Sequence, residues 1–321
     1  MDGEEHQKEL SEAERRLREK ILRDLTFEIR EELLHPATVE VSVNPDGTVW
    51  SERQGEKMRK IGRISPACAE AVVRAVAAAL GVTVTRHNPI VEGELPIDGS
   101  RFAGQIPPVV SCAAFSIRKK AVAVYSLSDY VRDGIMSEEQ AQFIRRAVER
   151  HKNVVVSGGT GSGKTTLLNA IIREIDPDER LVVIEDTIEL QVVSPNYVPL
   201  RTSVSVDMTK LLRTSLRMRP DRILVGEVRG PEALDLLMAL NTGHEGGVCT
   251  IHANNARATL DRLTMLVSMN RDAPRAIEPL IAQAVDIVIH ISKTSQGRRV
   301  REMIEVGGYD NGHYQIQKIG D

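Results

Sequence analysis

Residues 154–168 read VVVSGGTGSGKTTLL, and few stretches of this length restrict a chain so much. Val154, Val155 and Val156 form a short β-branched run of the kind buried in a parallel sheet. Gly158, Gly159, Thr160, Gly161, Ser162, Gly163, Lys164 and Thr165 then satisfy G-x-x-x-x-G-K-[ST] at every fixed position. Without Cβ atoms the glycines let backbone N–H groups turn inward against phosphate oxygens. A helix opening near Lys164 aims its positive end at the same anion. Lys164 adds a charge for the β- and γ-phosphates, and the Thr165 hydroxyl is a ligand for Mg²⁺. A glycine-rich turn that merely ends in lysine is the plain alternative. The strand, loop and helix in sequence favour a nucleoside triphosphate site, with Thr166 completing the binding segment.

At 321 residues the chain has room for about two domains. A formal net charge of −3 gives no overall basic field for nucleic acid, and no sequence-specific nucleic-acid binding is expected. No apolar run approaches the ~18 residues of a membrane span, and the acidic start MDGEEHQKEL is unlike a secretory signal. The expected location is cytoplasmic, with any membrane association peripheral. Cys68, Cys112 and Cys249 are far apart and read as buried thiols of a reducing compartment.

Residues 4 to about 34 are densely charged, with Leu10, Leu17, Ile21, Leu25 and Ile29 at mostly helical spacing. A helix over the domain's own core fits the narrow stripe better than an oligomerisation helix. His35-Pro36 ends it. Strand alternation at Val39–Val43, turn residues at 44–47 and a helix from Pro66 to Leu80 follow, then short apolar pieces to Ile117. These make residues 1–120 a small α+β domain, with 121–136 as a linker. From 137 onward, a capping box at Ser137–Gln140 opens a helix. Apolar runs at 181–185, 223–226, 247–252 and 285–291 alternate with helical patterns. Residues 137–321 are therefore expected to form an α/β domain, mainly a parallel sheet with helices on both faces and a C-terminal antiparallel hairpin.

Three further groups bear on chemistry. In Arg222–Arg229, Gly226 stands where phosphate-loop enzymes commonly place an aspartate, and Glu227 is the first carboxylate; it is the candidate Mg²⁺ residue, acting through a water. Glu185 ends the strand after the phosphate helix, where ligands collect in doubly wound sheets, and is the candidate for orienting or activating water. His244 and His252 flank a strand without the ligand supply of a zinc site. A contact between His252 and the γ-phosphate fits better. Arg213, Arg217, Arg219 and Arg222 are either a solvated, ion-paired face or a source of an arginine acting across subunits.

Taken together, these groups resemble the secretion and traffic ATPases of type II and type IV secretion, type IV pili and conjugation. Residues 158–166 look like that family's Walker A loop, 184–189 its Asp box, 223–229 its atypical Walker B and 242–252 its His box. The resemblance implies a homo-hexameric ring of two-domain subunits, a PAS-like first domain on a RecA-like ATPase domain, using ATP and Mg²⁺ beside inner-membrane components. Arg101-Phe-Ala-Gly-Gln and Phe115-Ser-Ile-Arg118 look like the compact branch serving type IV secretion and conjugation. In that branch Arg101 and Arg118 would reach the phosphates, joining Lys164, Glu185, Glu227 and His252. A RecA-like nucleic-acid translocase is the runner-up, but only 3% aromatic residues supply few stacking platforms. A nucleotide-gated scaffold with little turnover is the other alternative.

Overall fold

A computed structural model of the chain describes residues 12–120, 125–203 and 205–320. The first stretch of the expected N-terminal helix, residues 4–11 with Leu10, lies outside the described residues, as does the start of the expected linker at 121–124. The chain divides into two units, Met1–Val122 and Ala123–Asp321.

The first unit runs α1 (Glu12–Asp24), α2 (Phe27–Leu34), β1 (Thr38–Val43), β2 (Thr48–Arg53), β3 (Arg59–Arg63), α3 (Pro66–Ala79), β4 (Ile90–Glu94), β5 (Arg101–Gln105) and β6 (Ala114–Arg118). One charged helix was expected up to His35, but there are two. Thr26 adopts extended backbone and its hydroxyl accepts the Ile29 N–H, restarting the chain as α2. Ile21, Leu25, Ile29 and Leu33 pack into the unit's own core with Val72, Val76, Phe115 and Ile117. Six strands form an antiparallel sheet in the order β3-β2-β1-β6-β5-β4. Under α2, buried Glu32 accepts hydrogen bonds from Thr38 and Ser51 and pairs with Arg53 and Arg59.

The second unit continues with α4 (Leu127–Arg132), α5 (Glu138–Glu149), β7 (Val154–Ser157), α6 (Lys164–Ile172), β8 (Leu181–Glu185), β9 (Tyr197–Arg201), α7 (Met208–Ser215), β10 (Arg222–Val228), α8 (Glu232–Leu240), β11 (Val248–Ile251), α9 (Ala256–Ser268), α10 (Ile277–Ala284), β12 (Ile287–Thr294), β13 (Gly297–Asp310) and β14 (His313–Lys318). Of the expected linker, Leu127–Arg132 are helical, and Leu127, Tyr130 and Met136 are buried in this unit's core. The sheet order is β14-β13-β12-β7-β11-β10-β8-β9. It is parallel from β12 to β9, while β13 runs antiparallel to both β12 and β14.

Alternate residues of each central strand serve opposite layers. Val154 and Val156 pack with α4, α5 and α6, whereas Val155 packs with α7, α8, α9 and α10. Leu224 likewise faces the first layer, and Ile223 and Val225 the second. A sheet covered on both faces needs continuous apolar strands, which is what residues 154–156 and 181–184 provide. Strand β9 was not expected: Pro199 interrupts a short, half-exposed run, and the strand sits at the sheet edge, where a missing N–H is tolerated.

Candidate functional site

The glycine-rich loop crosses the carboxyl end of β7, an interior strand between β12 and β11. Gly158 and Gly163 show why its shape requires glycine. A Cβ at Gly158 would stand 2.2 Å from the Ile291 carbonyl oxygen and 2.5 Å from Ser162 Oγ, so only glycine lets the loop close down on β12. Gly163 caps α6 at φ +98° and offers no side chain to the helix's first N–H groups. Ser162 is 2% exposed, yet its hydroxyl oxygen has no hydrogen-bond partner. Uncapped helix N–H groups, a buried orphan hydroxyl and a lysine at one place fit an anionic ligand.

The Lys164 side chain is buried and folds back over this loop, donating to the carbonyls of Gly158 at 3.0 Å and Gly159 at 3.1 Å. Its ammonium is also 3.4 Å from His252 Nδ1. His252 follows β11 and reaches Thr160 Oγ1 with Nε2 at 3.3 Å, while its Nδ1 stands 3.6 Å from Glu227 Oε1. Lys164, Thr160, Glu227 and His252, which come from three separate segments, are therefore neighbours. Thr165 and Thr166 occupy the first turn of α6.

Glu227 lies in an irregular part of β10. Val225 pairs with Cys249 and Val228 with Ile251, leaving one extra residue on β10, a bulge of the kind that re-aims a side chain. Burial tends to raise the Glu227 carboxyl, but the hydrogen bond and charge of Arg229 outweigh it, with help from Lys164 and His252, and hold it below the usual carboxylate range. Arg229 Nε donates to Glu227 at 2.9 Å, and its Nη1 is 3.7 Å from Asp186.

Glu185, at the end of β8, is 5% exposed, and its Oε1 accepts the backbone N–H groups of Glu189 and Leu190, both at 2.9 Å. Gly226 explains the room it has. A Cβ there would be 3.1 Å from Glu185 Cγ and 3.3 Å from its Oε1. The Gly226 carbonyl accepts from Thr250 Oγ1 at 2.6 Å, tying β10 to β11 beside the bulge.

Arg101 and Arg118 belong to the first unit, where β5 and β6 make them direct cross-strand partners. Their row continues to Glu94 on one side and Glu40 on the other. Of the second unit's arginines, Arg222 is 2% exposed and its Nη2 donates to Glu179 at 2.8 Å and to the Val148 carbonyl at 2.9 Å, an internal tie and no exposed cation. Arg213 pairs with Asp235 at 2.7 Å. Sequence alone assigns Arg229 no role: it lies just past the end of β10, beyond a bulge, where strand spacing does not foretell its pairing with Glu227.

Residues 25–307 match the model of the family described as type II/IV secretion system protein. Over 282 residues the chain is 49% identical to the conjugal transfer protein TrbB of Rhizobium radiobacter, with 87% of each covered. It is 34% identical to the type IV secretion system protein PtlH of Bordetella pertussis, covering 87% of this chain and 94% of that one. The crystal structure of the VirB11 ATPase from the Brucella suis type IV secretion system, in complex with sulphate, superposes with TM-score 0.51 at 30% identity, covering 92% and 97% of the two chains. The pilus retraction motor PilT with bound ADP shares the fold with TM-score 0.63 at 19% identity, covering 92% of this chain and 84% of that one.

Proposed function

Since the chain belongs to the type II/IV secretion system protein family, and is an ATPase of the type IV secretion class, we propose that it is the hexameric motor of a conjugative transfer machine. In this reading it works at the cytoplasmic face of the inner membrane and powers pilus assembly or substrate transfer through docked membrane components. Among the described residues no helix is long and apolar enough to cross a membrane, so attachment would be peripheral. The first unit is read as a PAS-like domain and the second as a RecA-like one, with the boundary near residues 121–136.

One observation carries the reading: Lys164, Thr160, Glu227 and His252 converge at the carboxyl ends of β7, β10 and β11, where α/β sheets bind ligands. ATP is the substrate. The loop 158–166 would hold its phosphates through backbone N–H groups, with Lys164 releasing the Gly158 and Gly159 carbonyls to serve the β- and γ-phosphates. Thr165, and Glu227 through a water, are the residues to hold Mg²⁺, which when bound neutralises charge on the phosphate oxygens. Glu185, oriented by two backbone N–H groups, positions the attacking water and takes its proton. His252 stands between Lys164 and Glu227 and is suited to sensing the γ-phosphate.

Arg101 and Arg118 are read as guanidinium donors to the transferring phosphate. The β5–β6 register sets the two guanidiniums side by side, so they could act on one phosphate together. ATPase rate measured against protein concentration, with sizing in parallel, tests enzyme and ring together. Hydrolysis should rise steeply where a six-fold species assembles. A fully active monomer would remove the ring, and no hydrolysis with any metal would remove the motor.

A further inference from the structure

The neighbours of β7 divide the site into two sides. On one side stand β11, β10 and β8, bearing His252, Glu227 and Glu185; on the other stand β12 and β13. If the reacting γ-phosphate faces the carboxylates and His252, the rest of the nucleotide must leave the loop toward β12 and β13. The inference therefore rests on the nucleotide-binding reading above.

On that second side one cation lies against the loop. Arg298, at the start of β13, packs on Gly163: a Cβ built there would be 3.0 Å from Arg298 Cδ and 3.2 Å from its Nε. Gly163 is the residue whose missing side chain leaves the first N–H groups of α6 uncapped. Arg298 Nε is buried and has no hydrogen-bond partner, and among the described residues no carboxylate lies within ion-pair distance of its guanidinium. The Arg298 side chain as a whole is half-buried, but a buried Nε without an acceptor is costly; Arg222, 2% exposed, spends its guanidinium on Glu179 and on the Val148 and Gly246 carbonyls. Arg298 has what an anion-binding arginine needs: unspent donors and a helix N-terminus beside it that attracts the same charge.

We propose that Arg298 is a nucleotide-binding residue, its guanidinium contacting the α-phosphate of the bound nucleotide from the β12–β13 side of the loop. This contact would exist in both the ATP and ADP complexes. It should contribute to affinity and to KM, with little effect on the chemical step. Because the contact is to phosphate, it should not discriminate between bases.

The test is equilibrium binding of ADP and GDP to the full chain and to Arg298→Ala, Arg298→Gln and Arg298→Lys, with Lys164→Ala as the control for the loop and a thermal melt for each. A lost charge-assisted hydrogen bond should weaken both nucleotides alike by ~10–100-fold in Arg298→Ala and Arg298→Gln. Arg298→Lys, which keeps the charge and loses the fork, should recover part of the loss. Folded variants that bind ADP as the parent does, while Lys164→Ala does not, would overturn the role of Arg298 and leave the loop assignment standing. A loss confined to one of the two bases would overturn the phosphate contact. Failure of the parent itself to bind nucleotide would instead sink the function proposed above.

Discussion

Gly226 is the position at which this chain departs from phosphate-loop enzymes that place an aspartate there, and the structure gives a reason to expect that the departure is required. The constraint is local: a Cβ at residue 226 would meet Glu185 Cγ at 3.1 Å and Oε1 at 3.3 Å, closer than the ~3.5–4.0 Å of ordinary carbon contacts. Glu185 is buried and its Oε1 is held by the N–H groups of Glu189 and Leu190, so it has little freedom to retreat. Gly226→Ala should push the carboxylate by roughly half an ångström. Since ~1 Å of misplacement costs about 10²-fold, kcat should fall by about 10-fold. Gly226→Asp should do worse, by ~10²-fold or more, because a second carboxylate would also press the Glu185 carboxyl toward its protonated form. Steady-state ATP hydrolysis reads the effect, with ADP affinity expected to stay within about twofold because the loop and Lys164 are untouched. A folded Gly226→Ala enzyme turning over at the parent rate, alongside an inactive Glu185→Gln, would refute the reasoning: the seat of Glu185 would then not depend on residue 226.

The two carboxylates should separate kinetically. Glu185→Gln and Glu227→Gln should both bind ATP and lose ~10²-fold or more in hydrolysis, but only Glu227→Gln should change the Mg²⁺ concentration needed for half-maximal rate, which a metal titration checks. Arg101→Ala and Arg118→Ala should each cut kcat by ~10³-fold with small effects on nucleotide affinity, measured on variants that a thermal melt shows to be folded; a parent rate in either would return that arginine to a surface role. Glu32 gives a pH prediction. Burial opposes its ionisation, but hydrogen bonds from Arg53, Thr38 and Ser51 hold its carboxyl down at about 2. Its unfolded value is near the ordinary ~4.3, so its stabilisation is complete above that pH and lost as the pH falls toward 2. Glu32→Gln should lower stability at neutral pH by ~1–3 kcal/mol and flatten the acid limb of the melting curve.

What the sequence yielded about the fold follows the range over which each signal acts. Apolar runs such as 154–156 and 181–185 became central strands because a two-sided parallel sheet imposes its demand on every residue of the run. Ser137–Gln140 and Ser65-Pro66 opened helices where expected, since capping is complete within four residues. The break at Thr26 was hidden because charged residues and an intact apolar stripe continue through it, and the cap hydroxyl is the one local mark. Strand β9 carries a proline and a half-exposed pattern; only its neighbour β8, sixteen residues earlier by register from Tyr197 to Leu181, makes it a strand.

The chemistry of the site divides in the same way. The placement of the loop, of Lys164 over it and of Thr165 and Thr166 in the first turn of α6 was legible because the motif is contiguous. Glu185 and Glu227 were legible as strand-end carboxylates, though nothing in their local sequence foretells that one is seated by the absence of a side chain at Gly226 while the other is turned by a bulge in the same strand. Those two features belong together. In β10 the ladder breaks between Val225 and Val228, and the two residues released there have opposite demands: Gly226 must present nothing to Glu185, and Glu227 must reach His252 and Arg229. A regular strand would have sent adjacent side chains to opposite faces of the sheet, one of them into a helix layer. Removing one side chain and bulging the backbone lets a single strand end supply one carboxylate and make room for another. Glycine followed by glutamate is thus a packing solution for two acidic groups at the carboxyl ends of neighbouring strands, and replacing it with the more familiar aspartate would crowd the first group without reproducing the second.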